Sequence, residues 1–255
     1  MRGNGCVCCF AATRVSGTRN FKVFIHSMNL TLASYNIHAC IGTDGRFDPD
    51  RIVRVLQELN ADVVALQEVE HHDVDGYDLL DYLAEKTGLT AIAGPTLKRE
   101  TRHYGNAILT RLPILAVNRV DLTLPGREAR GAIDVTLDGN ERRVQVVATH
   151  LGLRPWERRQ QVRRLLELFE IGLTDIYVLM GDLNEWFLWG RPVRWLHAHF
   201  KHAPHPPTFP SRRPFMALDR MWVHPRRRLT KLEAHASGLA RTASDHLPLK
   251  AIIQI

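Results

Sequence analysis

The chain has 255 residues, 45% hydrophobic and 24% charged, a length that can bury one large core and a composition that is globular rather than disordered or fibrous. No apolar run is long enough to span a bilayer, so an integral membrane protein is not expected. The formal charge of +7 is gathered at the front, where Arg2, Arg14, Arg19 and Lys22 fall within residues 1–27 without one Asp or Glu; the +3 left over is too small to imply a polyanion partner.

Residues 1–27 also hold Cys6, Cys8 and Cys9, with neither strand alternation nor a helical stripe. Their apolar stretch is short for a secretory signal, and no second Cys or His pair follows at zinc-site spacing. The expectation is a disordered, dispensable leader, or a start assigned too early, before one domain over residues 28–255 in a cytoplasmic protein. Cysteine is too sparse for a disulfide scaffold.

Residues 30–36 alternate as a strand and end in Asn36-Ile37-His38. Asp48-Pro49 supplies an N-cap with Pro at the first helical position, and Ile52, Val55, Leu56 and Leu59 recur at helical spacing until Asn60. Residues 62–68 read as a buried strand ending on the carboxylate of Glu68. Residues 77–86 predict a second helix closed by Gly88. Short strand-like runs follow at 91–94, 105–110, 114–122, 130–137 and 143–149, with Asp138-Gly139-Asn140 as a hairpin loop. Pro155 opens a third helix whose stripe is Val162, Leu165, Leu166 and Phe169; Arg154, Arg158, Arg159, Arg163 and Arg164 read as its solvated face.

Tyr177-Val178-Leu179-Met180-Gly181-Asp182-Leu183-Asn184 reads as a buried strand that delivers a carboxylate and then an amide from its end. Such a pair suits holding and deprotonating a water, although alone it equally describes an Asx turn. His197, His199, His202 and His205 follow in a Pro-bearing stretch read as a loop, without the carboxylate or thiol that would make a metal set. Residues 218–223 are strand-like with Asp219 near the start, and Ser244-Asp245-His246 precedes a closing strand at 249–255. Many short strands with a few amphipathic helices between groups of them predict an α/β sandwich of two packed sheets covered by helices.

The polar groups at strand ends are Asn36, Glu68, His150, Asp182, Asn184, Asp219, Asp245 and His246. Singly, Asp219 could cap a strand, Asn36 a turn, and His150 could be a core histidine. Gly181-Asp182-Leu183-Asn184 followed by Ser244-Asp245-His246, with Tyr104-Gly105-Asn106-Ala107-Ile108-Leu109 and Thr149-His150-Leu151 earlier in the chain, resembles the endonuclease/exonuclease/phosphatase (DNase I-like) superfamily over residues 30–255.

The resemblance implies a four-layer α-β-β-α sandwich, with two mainly antiparallel or mixed sheets between helices. It implies a hydrolase of phosphoric esters, foremost a phosphodiesterase, working with Mg²⁺ or Mn²⁺. In that pattern Glu68 is the principal metal ligand, Asn36 lies close by and Asp245 approaches from the opposite side. Asp182 orients and deprotonates the attacking water, helped by Asn184. His246, paired with Asp219, faces the charge on phosphorus, and His150 contacts another phosphoryl oxygen. Arg130 and Asn106 are candidates for holding the substrate phosphate, with Arg130 equally readable as a surface residue at a hairpin start. His38 contacts substrate or fills space; Trp186, Phe187 and Trp189 line a groove or enter a core. Arg220, where many members carry an aromatic residue, together with Asn36-Ile37-His38, Thr149-His150-Leu151-Gly152-Leu153 and Thr208-Phe209-Pro210, resembles a compact bacterial branch of hydrolases. The expected partner is a phosphate ester, whether a lipid headgroup, a small phosphodiester or nucleic acid, and no protein partner is predicted. A nuclease of the same family is the first alternative. A non-catalytic module docking the Arg-rich helix on acidic lipid or RNA is the second.

Overall fold

A computed structural model describes residues 28–70, 72–74, 76–99, 102–140, 142–169 and 174–255; the leader expected over 1–27 lies outside them. In chain order the elements are β1 (Asn29–Asn36), α1 (Pro49–Leu59), β2 (Val63–Glu70), β3 (Asp73–Val74), β4 (Tyr77–Asp78), α2 (Leu79–Thr87), β5 (Thr90–Arg99), β6 (Arg102–Thr110) and β7 (Ile114–Asp121). They continue with β8 (Gly131–Asp138), β9 (Arg143–His150), α3 (Pro155–Glu167), β10 (Ile176–Asp182), α4 (Arg191–Phe200), β11 (Asp219–His224), β12 (Leu229–Ala234), α5 (Ala240–Ala243) and β13 (Leu249–Gln254).

Capping residues fix the first helices where the sequence placed them. The Asp48 carboxylate accepts from Arg51 N at 2.9 Å, and Asn60 ends α1 in a left-handed conformation. Gly88 does the same for α2.

The strands form one sheet ordered β12-β13-β1-β2-β6-β5 and a second ordered β11-β10-β9-β8-β7. Two neighbouring pairs are parallel, β1 with β2 and β9 with β10. A parallel pair needs a crossover, and α1 and α3 provide them. Alternation decides which side each residue faces. In β1, Leu30 and Leu32 enter the core shared with the second sheet, while Ala33 and Tyr35 enter the core beneath α1 and α2. On the far side Val162 and Leu165 of α3 and Val193, Leu196 and Phe200 of α4 are buried against the second sheet. The layers are therefore helix, sheet, sheet, helix, the four-layer α-β-β-α sandwich implied by the resemblance. Among the described residues no helix is long and apolar enough to cross a membrane.

Three elements depart from expectation. β5 runs through Pro95 to Arg99 rather than stopping at 94; it is an edge strand, and its register slips between Pro95 and Leu97. His197 and His199 lie on α4, not in a loop, because Pro192 opens a helix that buries Val193, Leu196 and Phe200. The basic face of α3 is only partly solvated, since Arg158 is buried.

Gly181, one residue before Asp182, has φ 148°, and a Cβ there would overlap the Thr149 carbonyl of β9. Only glycine lets β9 and β10 come together at this point. Gly181→Ala is expected to lower stability by about 2 kcal/mol or more, read as a fall in urea midpoint with unchanged slope.

Candidate active site

Strand register builds the floor of the site. Asp182 at the end of β10 lies between His150 of β9 and Asp219 of β11, all three directly paired across the second sheet. Side chains so paired share a face. Opposite them stands Asn36, at the end of β1 and on the same side as Leu30 and Leu32. Its Nδ2 donates to Glu68 Oε1 at 3.0 Å and to Asp182 Oδ2 at 3.2 Å, while its Oδ1 accepts from His38 N at 3.1 Å.

Glu68 reaches Asn36 through a backbone irregularity. Strict alternation would set it beside Val64 and Leu66, facing the helices. Pairing with β6 slips between Leu66 and Val69, and Glu68 takes a left-handed φ of 56°, which brings its carboxylate over the sheet edge. A left-handed non-glycine costs about 1–3 kcal/mol and clusters where function fixes it. Asn184 shows the same feature at φ 51°. Its N–H donates to Asp182 Oδ1 at 2.8 Å, and its Nδ2 donates to Leu151 O at 2.9 Å and lies 3.0 Å from His150 Nε2. The last segment is pinned to the same edge, because Ser244 Oγ donates to Asn36 O at 2.7 Å and accepts from His246 N at 3.2 Å.

His246 and His150 flank Asp182 but carry different charge. His246 Nδ1 donates to Asp219 Oδ2 at 2.8 Å, and its Nε2 lies 3.8 Å from Asp182 Oδ2. Burial opposes the imidazolium, but the charge and hydrogen bond of Asp219, aided by Asp182 and Asp245, push His246 up to about 10. Burial pushes the Asp219 carboxyl up, against His246. We read the pair as imidazolium and carboxylate, because Asp219 Oδ2 also accepts from Thr208 Oγ1 at 2.6 Å. Burial would raise Asp182 too, yet the His246 cation, the Asn184 N–H and the Asn36 amide hold it below the usual carboxylate range. Burial and the Arg130 guanidinium outweigh Asp182 and Glu68 at His150 and lower it, so this imidazole is neutral.

A neutral imidazole has a single acceptor nitrogen. His150 meets donors at both, Asn184 Nδ2 at 3.0 Å and Arg130 Nη1 at 3.4 Å. Arg130 is buried, not a surface residue; its Nη2 donates to Glu128 at 3.0 Å and its Nε has no partner. This side of the site thus holds more donors than acceptors, a shortage that an oxyanion would fill. A cavity of about 220 Å³ adjoins it, lined by Arg119, Thr123 and Arg130 among others. Asn106 is buried behind, its Nδ2 donating to Gly131 O at 3.0 Å.

Asp245 sits on the opposite rim, its side chain 38% exposed and 3.9 Å from His38 Nδ1. By spacing alone the buried Asp182, Asp219 and His246 could hold a metal, their ligand atoms lying within 4.8 Å of one another. The proton between His246 Nδ1 and Asp219 gives that nitrogen another use. His197 and His205 approach at 3.3 Å between their Nε2 atoms, yet among the described residues the histidines form no group of three converging ligands.

Sequence reasoning gave no role to Thr208 or Ser244 and did not foresee the support of the loop after Asn184. Glu185 is buried against Arg158 at 3.1 Å, and the fully buried Arg220 donates to Glu185 O at 2.7 Å. Burial lowers Arg220 to about 10. The Arg after Asp219 was the available signal. Trp186, Phe187 and Trp189 enter no core; they are 64, 54 and 71% exposed.

The family model for the Endonuclease/Exonuclease/phosphatase family matches residues 33–246. The chain is similar to the uncharacterized protein YbhP of Escherichia coli (strain K12), 28% identical over 92% of this chain and 97% of that one. Its fold is similar to an endonuclease/exonuclease/phosphatase from Beutenbergia cavernae, with TM-score 0.70, 24% identity, and 89% and 72% of the two chains covered. It is also similar in fold to a mannosyl-6-phosphatase from Bacteroides thetaiotaomicron, with TM-score 0.67, 18% identity, and 89% and 99% covered. The match runs from within β1 to His246 and takes in β2 to β12 and the register row, and the chain belongs to the endonuclease/exonuclease/phosphatase family, whose members hydrolyse phosphoester bonds.

Proposed function

We propose that the protein is a phosphoesterase that depends on Mg²⁺ or Mn²⁺ and prefers phosphodiesters, with Asp182 as the group that orients and deprotonates the attacking water. The observation that carries this reading is the buried Asp182 carboxylate set between the imidazoles of His150 and His246, 3.7 and 3.8 Å away, beside a rim short of acceptors.

The donor set fits a hard cation. Glu68 and Asp245 present carboxylate oxygens, both partly exposed, and among the described residues neither is paired with Lys or Arg. Few protein oxygens and access to water are what Mg²⁺ takes. Glu68 and Asp245 would hold the ion. Asn36 turns its amide nitrogen to Glu68, so here it positions that carboxylate. When bound, the ion supplies positive charge for the phosphoryl oxygens and the departing oxygen.

The chain's own groups do the rest. Asn36 and the Asn184 N–H fix both oxygens of Asp182, so a water held there is oriented and its proton has a defined acceptor. The water oxygen bonds to phosphorus, the ester P–O bond breaks, and the departing oxygen takes a proton from solvent. His246, kept cationic by Asp219, opposes the charge that grows on the phosphoryl oxygens, and Arg130 with His150 supplies donors to another of them. Arg130 is already paired with Glu128, so the field matches a singly charged diester better than a dianionic monoester.

Hydrolysis of bis-p-nitrophenyl phosphate tests the reading. EDTA should abolish it and Mg²⁺ restore it. Losing an outer-shell partner alone costs about 10–100-fold in metal affinity, so Glu68→Gln should raise the Mg²⁺ requirement by at least that. Full activity in EDTA-treated protein would refute metal dependence.

A further inference from the structure

Trp186, Phe187, Leu188 and Trp189 stand 64, 54, 54 and 71% exposed on the turn between β10 and α4. Leu153 and Phe215, on two other turns, are 65% and 72% exposed. Isolated exposed apolar residues are ordinary, but a cluster of large ones marks a contact surface.

Buried polar groups bolt these three turns together. Arg158 donates to Leu153 O at 2.6 Å and to Glu185 Oε2 at 3.1 Å. Arg220 donates to Glu185 O at 2.7 Å and to Ala217 O at 2.8 Å. Glu185 in turn accepts from Phe187 N at 3.2 Å, and the rings of Phe187 and Trp189 lie 5.5 Å apart. One buried carboxylate and two buried guanidiniums therefore hold apolar tips out in solvent. The tips border the site, since Asn184 and Leu151 are hydrogen-bonded neighbours at their base.

The segment that carries most of the tips has charge of one sign. Residues 186–218 contain no Asp or Glu, while Arg191, Arg194, Lys201, Arg212 and Arg213 are all exposed. Arg154, beside Leu153, is exposed as well. Trp and Phe with Leu, framed by arginines, is the composition of an interfacial anchor on an anionic membrane. A second copy of the chain would set these like charges against each other. Leu153 and Leu188 offer nothing for nucleic-acid bases to stack on.

We propose that this crown seats the protein on the surface of an anionic lipid bilayer, so that the ester presented to Asp182 is the phosphate of a lipid headgroup. The substrate half rests on the hydrolase reading above; the docking half does not. The reaction is unchanged, one P–O bond forming to water and one breaking to the lipid or headgroup alcohol.

Flotation of the full chain with phosphatidylglycerol/phosphatidylcholine vesicles, and with phosphatidylcholine alone, tests it. The protein should float with the anionic vesicles, shift its tryptophan emission to the blue, and release as salt is raised. Trp186→Ser/Trp189→Ser should weaken partition by about tenfold or more while still hydrolysing bis-p-nitrophenyl phosphate in solution. Asp182→Asn should float like wild type. The same vesicles should be hydrolysed faster by wild type than by the double variant. Equal flotation of wild type and double variant, or no association with either vesicle, overturns the proposal. So does a wild-type dimer that the double variant abolishes while vesicles leave the emission unchanged. Vesicle binding without hydrolysis of any ester would sink the catalytic reading and leave the docking intact.

Discussion

Asp182→Asn is expected to cut kcat for phosphodiester hydrolysis by on the order of 10³-fold with the fold preserved, a loss typical of removing a positioned acid or base. Asparagine keeps the shape and one oxygen, so the Asn184 N–H that donates at 2.8 Å retains its acceptor. Three things go: the proton acceptor, the oxygen that accepts from Asn36 Nδ2, and the negative charge that helps keep His246 protonated. KM should move little, because Arg130 and His150 are untouched, and the circular dichroism spectrum should match wild type. A variant that retains most of its kcat would remove Asp182 from the chemistry. A variant that unfolds would be replaced by Asp182→Glu, which keeps the charge, displaces it, and should also lose most activity.

Asp219→Asn is expected to move the alkaline limb of the pH profile. In wild type His246 is raised to about 10, chiefly by the Asp219 charge and hydrogen bond acting against burial. Activity that needs this imidazolium should hold through neutral pH and fall above about pH 10. With the carboxylate gone, burial is opposed only by Asp182 and Asp245, and the limb should fall toward the ordinary histidine value of about 6.5. At pH 8 the loss should be on the order of 10²-fold, partly recovered at pH 6. A merely structural Asp219 would lower activity equally at all pH. The pair also acts on stability. His246 has its folded pKa above its unfolded one, so its contribution is fully present below about pH 6.5 and is lost as pH rises through about 10. Wild type should therefore lose melting temperature across that window, and Asp219→Asn should not show that loss.

The helices that were legible in the sequence announce their own ends. Asp48-Pro49 and Asn60 fix α1, and Gly88 fixes the end of α2, because capping is local chemistry. Strands with clean alternation, such as β1, were equally readable. α4 is obscured in the sequence, although Pro192, Val193, Leu196 and Phe200 have helical spacing, because histidines and the prolines that follow them give the stretch a loop-like composition. β12 is an edge strand with mostly half-exposed side chains and gives little alternation.

For the site, the resemblance implies the residues and the fold sets their arrangement. Asn36, Glu68, His150, Asp182, Asn184, Asp219 and His246 are brought together along one edge of the two sheets. No local pattern could show that Glu68 must leave its alternating position to reach Asn36, since the slip depends on pairing with β6. Nor could it show Arg220 buried beneath the loop after Asn184, where it serves Glu185 and Ala217. The neutral state of His150 follows from burial and from Arg130, twenty residues earlier in the chain.

Ser244 and Asn36 touch across 208 positions of chain, and Asn36 and Asp182 across 146. Contacts this remote in sequence form late, after the intervening loops have closed. Catalytic turnover thus becomes a strict gauge of completed folding: during refolding from denaturant, recovery of activity should trail the return of helical signal.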